Sequence, residues 1–129
     1  MRRELQETLR LDPRHLEAHL NLGISYLQQG QADTALPHLR TVVGLAPHLA
    51  DTHYLLAVVY AQLGQAEAML TPLQHAVRLD PGHARAHSAL AALYFERQQY
   101  DLAWQHAQQA AQLGAPIQPL IEALQRVRD

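Results

Sequence analysis

The chain has 129 residues, 48% of them apolar, no cysteine, and a formal charge of -2 that would move to +7 if all nine histidines were protonated. That is enough chain and enough apolar content for one folded domain, not a disordered segment. The charge offers no basic stripe for phosphates, which excludes nucleic acid as a partner, and the missing cysteine excludes a disulfide framework and a thiolate site. No apolar run reaches the roughly 18 residues of a membrane span, so no membrane insertion is expected. No apolar signal core follows Met1-Arg2-Arg3-Glu4. The cytoplasm is the favoured compartment, with the periplasm open to the same composition.

In chain order, Leu5, Leu9, Leu11 and Pro13 stand 34 residues before Leu39, Val43, Leu45 and Pro47. Residues 1–13 therefore read as the second helix of a partial repeat, either cut from a longer array or serving as an atypical cap. Three copies follow, over residues 16–47, 50–81 and 84–116. Their columns are His19, His53 and His87; Leu22, Leu56 and Leu90; Gly23, Ala57 and Ala91; Tyr26, Tyr60 and Tyr94; and Leu45, Leu79 and Leu113. A fixed period of this size marks a stacked-repeat architecture. Within a copy the apolar pattern runs to Gln29-Gly30, where glycine suits a left-handed helix end, and resumes from Asp33 to Leu45-Ala46-Pro47. Two helices joined by a short turn make an antiparallel hairpin.

Pro37 and Pro72 fall inside the expected second helices, where bending without helix loss is anticipated. The third copy departs most, with Gln98 for the turn glycine, Tyr100 for Ala32 and Ala66, and Pro116 one place late. Residues 117–129 carry an apolar stripe of Ile117, Leu120, Ile121, Leu124 and Val127. They read as a C-terminal capping helix, because Gln125 and Arg128 stand where the repeat places a small residue and a tyrosine.

Leu22-Gly23, Tyr26, Gly30, Ala35, Leu39 and Leu45-Ala46-Pro47, with the same spacing 34 residues on, resemble the tetratricopeptide repeat family. The resemblance covers essentially the whole chain and departs where the first helix usually carries Trp and this chain has the histidine column. It implies an all-α, right-handed superhelix of stacked helix hairpins, with a concave face lined by the first helices. On that implication the partner-binding positions are Leu20, Asn21, Ile24, Leu27, Tyr54, Leu55, Val58, Arg85, Ser88 and Phe95, flanked by Glu17, Gln28, Asp51, Ala61, Gln62, Ala89, Ala92 and Glu96. Family members that clamp chaperone carboxylate tails use Lys, Asn and Arg at such positions. Here Leu20, Ile24, Leu55, Arg85 and Ala89 stand there, and only Arg85 fits, which argues against that role. A strip with this much apolar surface suits an amphipathic helix or an apolar peptide.

His15 with His19, and His83 with His87, stand at i and i+4, a spacing that can turn two imidazoles toward one ion. No third ligand, His-Glu-x-x-His pattern or cysteine accompanies them, so the column is read as structural imidazoles bonded to backbone or water, with no metal and no cofactor. Ser25 and Ser88 lie in no nucleophile motif, and no catalytic residues are assigned. The expected function is a non-catalytic scaffold for another protein or peptide. The alternatives are a regulatory or substrate-docking array of a larger enzyme or secretion or assembly machine, and a homo-oligomer formed through exposed repeat ends.

Overall fold

The computed structural model describes residues 2–128, with side chains through Val127. Met1 and Asp129, the outer ends of the first and last expected segments, lie outside the described residues, as does the Arg128 side chain. Helices run α1 Arg2–Leu11, α2 Leu16–Gln28, α3 Ala32–Leu45, α4 Ala50–Gln62, α5 Leu70–Leu79, α6 Ala84–Glu96, α7 Tyr100–Gln112 and α8 Gln118–Arg128, with a 3₁₀ turn at Ala66–Met69 before α5. Each helix packs on the next, and α2 also touches α4. The result is an all-α superhelix of hairpins α2/α3, α4/α5 and α6/α7, with α1 and α8 at its ends. Among the described residues no helix is long and apolar enough to cross a membrane.

The hairpin turns follow from local chemistry. Gly30 and Gly64 take φ +73°, and Gln98 takes φ +62° in the same place. The residue after each reaches back across the turn, Gln31 N–H to the Tyr26 carbonyl at 2.9 Å, Gln65 to Tyr60 at 2.8 Å and Gln99 to Tyr94 at 2.9 Å. These bonds close the first helices and reverse the chain. At the start of α2 and α6 an imidazole does the work usually given to Ser or Asp. His15 Nδ1 accepts the Ala18 N–H and His83 Nδ1 accepts the Ala86 N–H, both at 3.1 Å.

Leu22, Leu39, Val42, Val59, Leu73, Leu90 and Leu124 are wholly buried along the axis of the stack. The close approach expected at the small column is tightest at Gly23, where an added Cβ would lie 2.7 Å from Leu39 Cδ2. The tyrosine column ties each unit to the one before. The hydroxyls of Tyr26, Tyr60 and Tyr94 accept from Gln6, Arg40 and Gln74 at 3.4, 3.3 and 3.3 Å, always twenty residues back.

The two prolines behave differently, which corrects the expectation that both merely bend their helices. Exposed Pro37 sits in an unbroken α3, whereas buried Pro72 follows the 3₁₀ turn and a fresh helix start at Leu70. A proline opens the helix on its own side because its ring displaces the carbonyl four residues back. Because α5 begins only at Leu70, Pro72 stands in its first turn, where the missing N–H costs no helix bond, and Met69 stands in the column of Ala35 and Ala103.

Candidate partner groove

The first helices α2, α4 and α6 present the groove positions in register. Leu20, Asn21, Ile24, Tyr54, Leu55, Val58, Ser88 and Phe95 are half-buried, and Arg85 is exposed. Leu27 is different. It is 7% exposed and belongs to the core with Leu22, Tyr26, Leu56 and Val59. Gln62 Nε2 closes over it, donating to the Leu27 carbonyl at 3.2 Å. Leu27 was expected to face solvent, but α4 of the next unit, with Leu56, Val59 and Gln62, covers it.

The half-buried apolar residues lean on the core without leaving the surface, Leu20, Leu55 and Val58 on the amino-terminal cluster and Tyr54 and Phe95 on the carboxy-terminal one. Three hollows line this side. One, between Leu20 and the start of α4, includes Ala50 and Asp51. Another holds Tyr54, Arg85, Ser88, Ala89 and Ile117. The third, about 360 Å³ and mostly apolar, is bounded by Ala61, Gly64, Ala66, Met69, Ala89, Ala92, Leu93 and Glu96. It opens beside the 3₁₀ turn, with Ala66 and Met69 of that turn in its wall.

The polar frame is partly fixed. Arg85 lies over the Tyr54 ring, 5.1 Å from its centre, and Tyr54 also meets His83 at 5.2 Å. His83 Nε2 donates to Asp51 Oδ1 at 2.7 Å, joining the middle and third hairpins. Phe95 meets Tyr100 edge-on at 5.6 Å and 63°. Tyr100 is the residue by which the third copy departed from Ala32 and Ala66. Arg97 pairs with Glu67 near the same rim.

The histidine column is bonded as backbone furniture. The Nε2–H groups of His19, His53 and His87 donate to the carbonyls of Pro13, Pro47 and Pro81 at 2.7, 2.9 and 2.8 Å. Each column histidine then meets a second one on the following helix, a partnership the sequence reading missed. His19 Nδ1 lies 3.0 Å from His38 Nδ1, and His87 Nδ1 lies 3.0 Å from His106 Nδ1. In the middle hairpin Pro72 occupies the matching place, and His75 meets His53 edge-on at 5.2 Å and 90°. Burial, and then the charge of the paired histidine, lowers the pKa of His38 and His106. His75 is lowered by burial, then by His53 and Arg78.

These bonds account for the i and i+4 pairs. His15 and His83 spend Nδ1 on helix caps while His19 and His87 spend both nitrogens elsewhere, so the pairs do not converge on an ion. Among the described residues no group of three or more His, Asp or Glu is placed to hold a metal.

The tetratricopeptide repeat family matches residues 26–68 and again residues 4–36. The chain belongs to the tetratricopeptide repeat family. Among solved structures, MamA 41-end from Desulfovibrio magneticus RS-1 superposes with a TM-score of 0.78 at 31% identity, over 84% of this chain and 62% of that one. A MamA RS-1 double mutant superposes with a TM-score of 0.79, also at 31% identity, over 84% and 61%. A further crystal structure of MamA gives 0.81 at 25% identity, over 88% and 66%. The chain thus spans about three fifths to two thirds of the length of these tetratricopeptide relatives. No curated protein sequence matches it. A tetratricopeptide array of this kind is a protein-interaction scaffold.

Proposed function

We propose that this tetratricopeptide array binds an amphipathic helix along α2, α4 and α6, with the helix's apolar stripe against Leu20, Ile24, Tyr54, Leu55 and Val58. The observation that carries this reading is the hollow beside Ala61, Met69 and Ala92, a mostly apolar cavity opening onto an already apolar strip. A cavity of this kind takes one large apolar side chain, the anchor that helix-in-groove recognition uses. Exposed Glu17, Asp51 and Glu96 border the strip against a single Arg85, so basic residues flank the apolar stripe of the partner.

Display selection of helical peptides against the full chain tests this. Selected sequences should carry apolar residues at i, i+3 or i+4 and i+7, with Lys or Arg beside them. Binding should fall at least tenfold with Leu55→Asp, and with Ala92→Glu, which fills the hollow, while the circular dichroism spectrum stays helical. Peptides that bind both variants as well as the parent would remove the groove from the account. Pairing of copies through α1 and α8 is the alternative, and light scattering over a wide concentration range separates it from a monomeric receptor.

A further inference from the structure

The two outer histidine pairs share one geometry. Ring centres lie 5.3 Å apart for His19 and His38 and 5.2 Å apart for His87 and His106, while the facing nitrogens lie 3.0 Å apart in both. The difference is close to the two nitrogen-to-centre radii of an imidazole, so in each pair the rings meet nearly head on along one N···N line. A metal ion shared by two nitrogens sits about 2.0–2.1 Å from each and off the line between them, and rings that meet head on do not turn their lone pairs to such a point. A hydrogen bond fits that length.

The proton positions follow from the neighbours. Proline carbonyls can only accept, so His19 and His87 carry Nε2–H and present a bare Nδ1 to the partner. His38 and His106 must then donate through Nδ1–H. With one added proton, whichever ring carries it, a single N–H still lies between the facing Nδ1 atoms and the bond stays in place. A second added proton would set two N–H groups face to face.

We infer that each outer hairpin carries a one-proton latch, in which the His19–His38 and His87–His106 bonds survive the first added proton and are broken by the second, so that acid uncouples the two helices of these hairpins. The surroundings offer little relief. Tyr26 stacks on His38 at 5.8 Å, with Arg2 of α1 4.6 Å above the Tyr26 ring and Gln6 on its hydroxyl. On the far side of that hairpin, Arg40 of α3 reaches Tyr60 of α4. Tyr94 stacks on His106 at 5.7 Å, with Gln74 of α5 on its hydroxyl. One turn before His87, His83 is held by Asp51 of α4, while α8 brings Glu122 and Arg126, both exposed.

Unfolded, the two histidines of a pair take up two protons around pH 6.5, and folded they take up one, so below that pH the unfolded chain binds one proton more per pair and stability falls as pH falls. The folding equilibrium should drop about tenfold per pH unit for each pair once the pH is well below the unfolded value, and about a hundredfold for both.

Urea unfolding of the full chain from pH 7.5 to 4.5, beside the double variant His38→Ala with His106→Ala, provides the test. Alanine frees Nδ1 of His19 and His87 to take a proton while folded, so the double variant should show a pH dependence shallower by about a hundredfold per unit. Each single alanine variant should recover about tenfold, which keeps the test available if the double variant does not fold. His38→Asn should behave as His38→Ala does, because its amide can turn to accept from a protonated His19. Long-range 1H–15N spectra should show His19 and His87 holding Nε2–H, with one proton between the facing Nδ1 atoms of each pair at pH 5.5. Protonated Nδ1 on both rings of a pair in the folded chain, or an unchanged slope in the alanine variants, overturns the inference.

Discussion

In the outer hairpins, α2/α3 and α6/α7, the second helix begins two places after the left-handed residue, with alanine in the close-packed column and a histidine meeting the first helix. In the middle hairpin Met69 takes the alanine's place, Pro72 the histidine's, and four residues turn as a 3₁₀ segment before α5 begins. The outer hairpins are tightly registered and acid-sensitive. The middle one gives up one turn of α-helix, and an apolar hollow opens beside it. Within a period-34 framework, two departures from the pattern mark the unit that borders this hollow.

The sharpest way to break the comparison is at the axial contact. Leu39→Ala in the first hairpin should cost about 3 kcal/mol in urea unfolding, because Leu39 is wholly buried against Gly23. Gly23→Ala should cost about 1–2 kcal/mol in the parent, the clash with Leu39 outweighing the helix preference of alanine. In the Leu39→Ala background that cost should vanish, since the third hairpin already combines Ala91 with Ala107. A double-mutant cycle that returns simple additivity would contradict this account of the column.

Smaller effects should stabilise. Thr52 stands where the outer hairpins have Ala18 and Ala86, is 1% exposed, and its Oγ1 has no hydrogen-bond partner. Thr52→Ala should therefore raise stability by about 1 kcal/mol. Gln98→Gly should add about 0.5 kcal/mol by relieving a left-handed glutamine, net of the extra freedom glycine gives the unfolded chain. Restoring the outer pattern with Met69→Ala and Pro72→His should slow amide exchange over residues 66–69 as the 3₁₀ turn becomes α-helix. The same pair of changes should weaken the peptides selected on the groove, since the cavity closes.

The period, the turn glycines and the small column were legible because each returns every 34 residues and each has a single physical reason. What lay outside that pattern was harder to read. His19 and His38 are nineteen apart, a separation with no meaning on one helix, and they meet only because the turn at Gly30 reverses the chain. The contrast between Pro37 and Pro72 depends on which side of the helix faces the core, a difference of a single residue in register. Leu27 was read as groove because the family pattern puts it there, and the packing of α4 over it places it in the core. Missing the second histidine of each pair had the same origin, since attention to a column overlooks the partner that supplies its proton.

The tyrosine ladder bears on how the whole molecule moves. Its rungs, from Gln6, Arg40 and Gln74 to the next unit's tyrosine, are 3.3–3.4 Å long, at the weak end of hydrogen bonding. They hold the order of the units but impose little stiffness on the angle between them. The angle between successive units is therefore left to the buried apolar residues along the axis, Leu22, Leu39, Val59, Leu73 and Leu90.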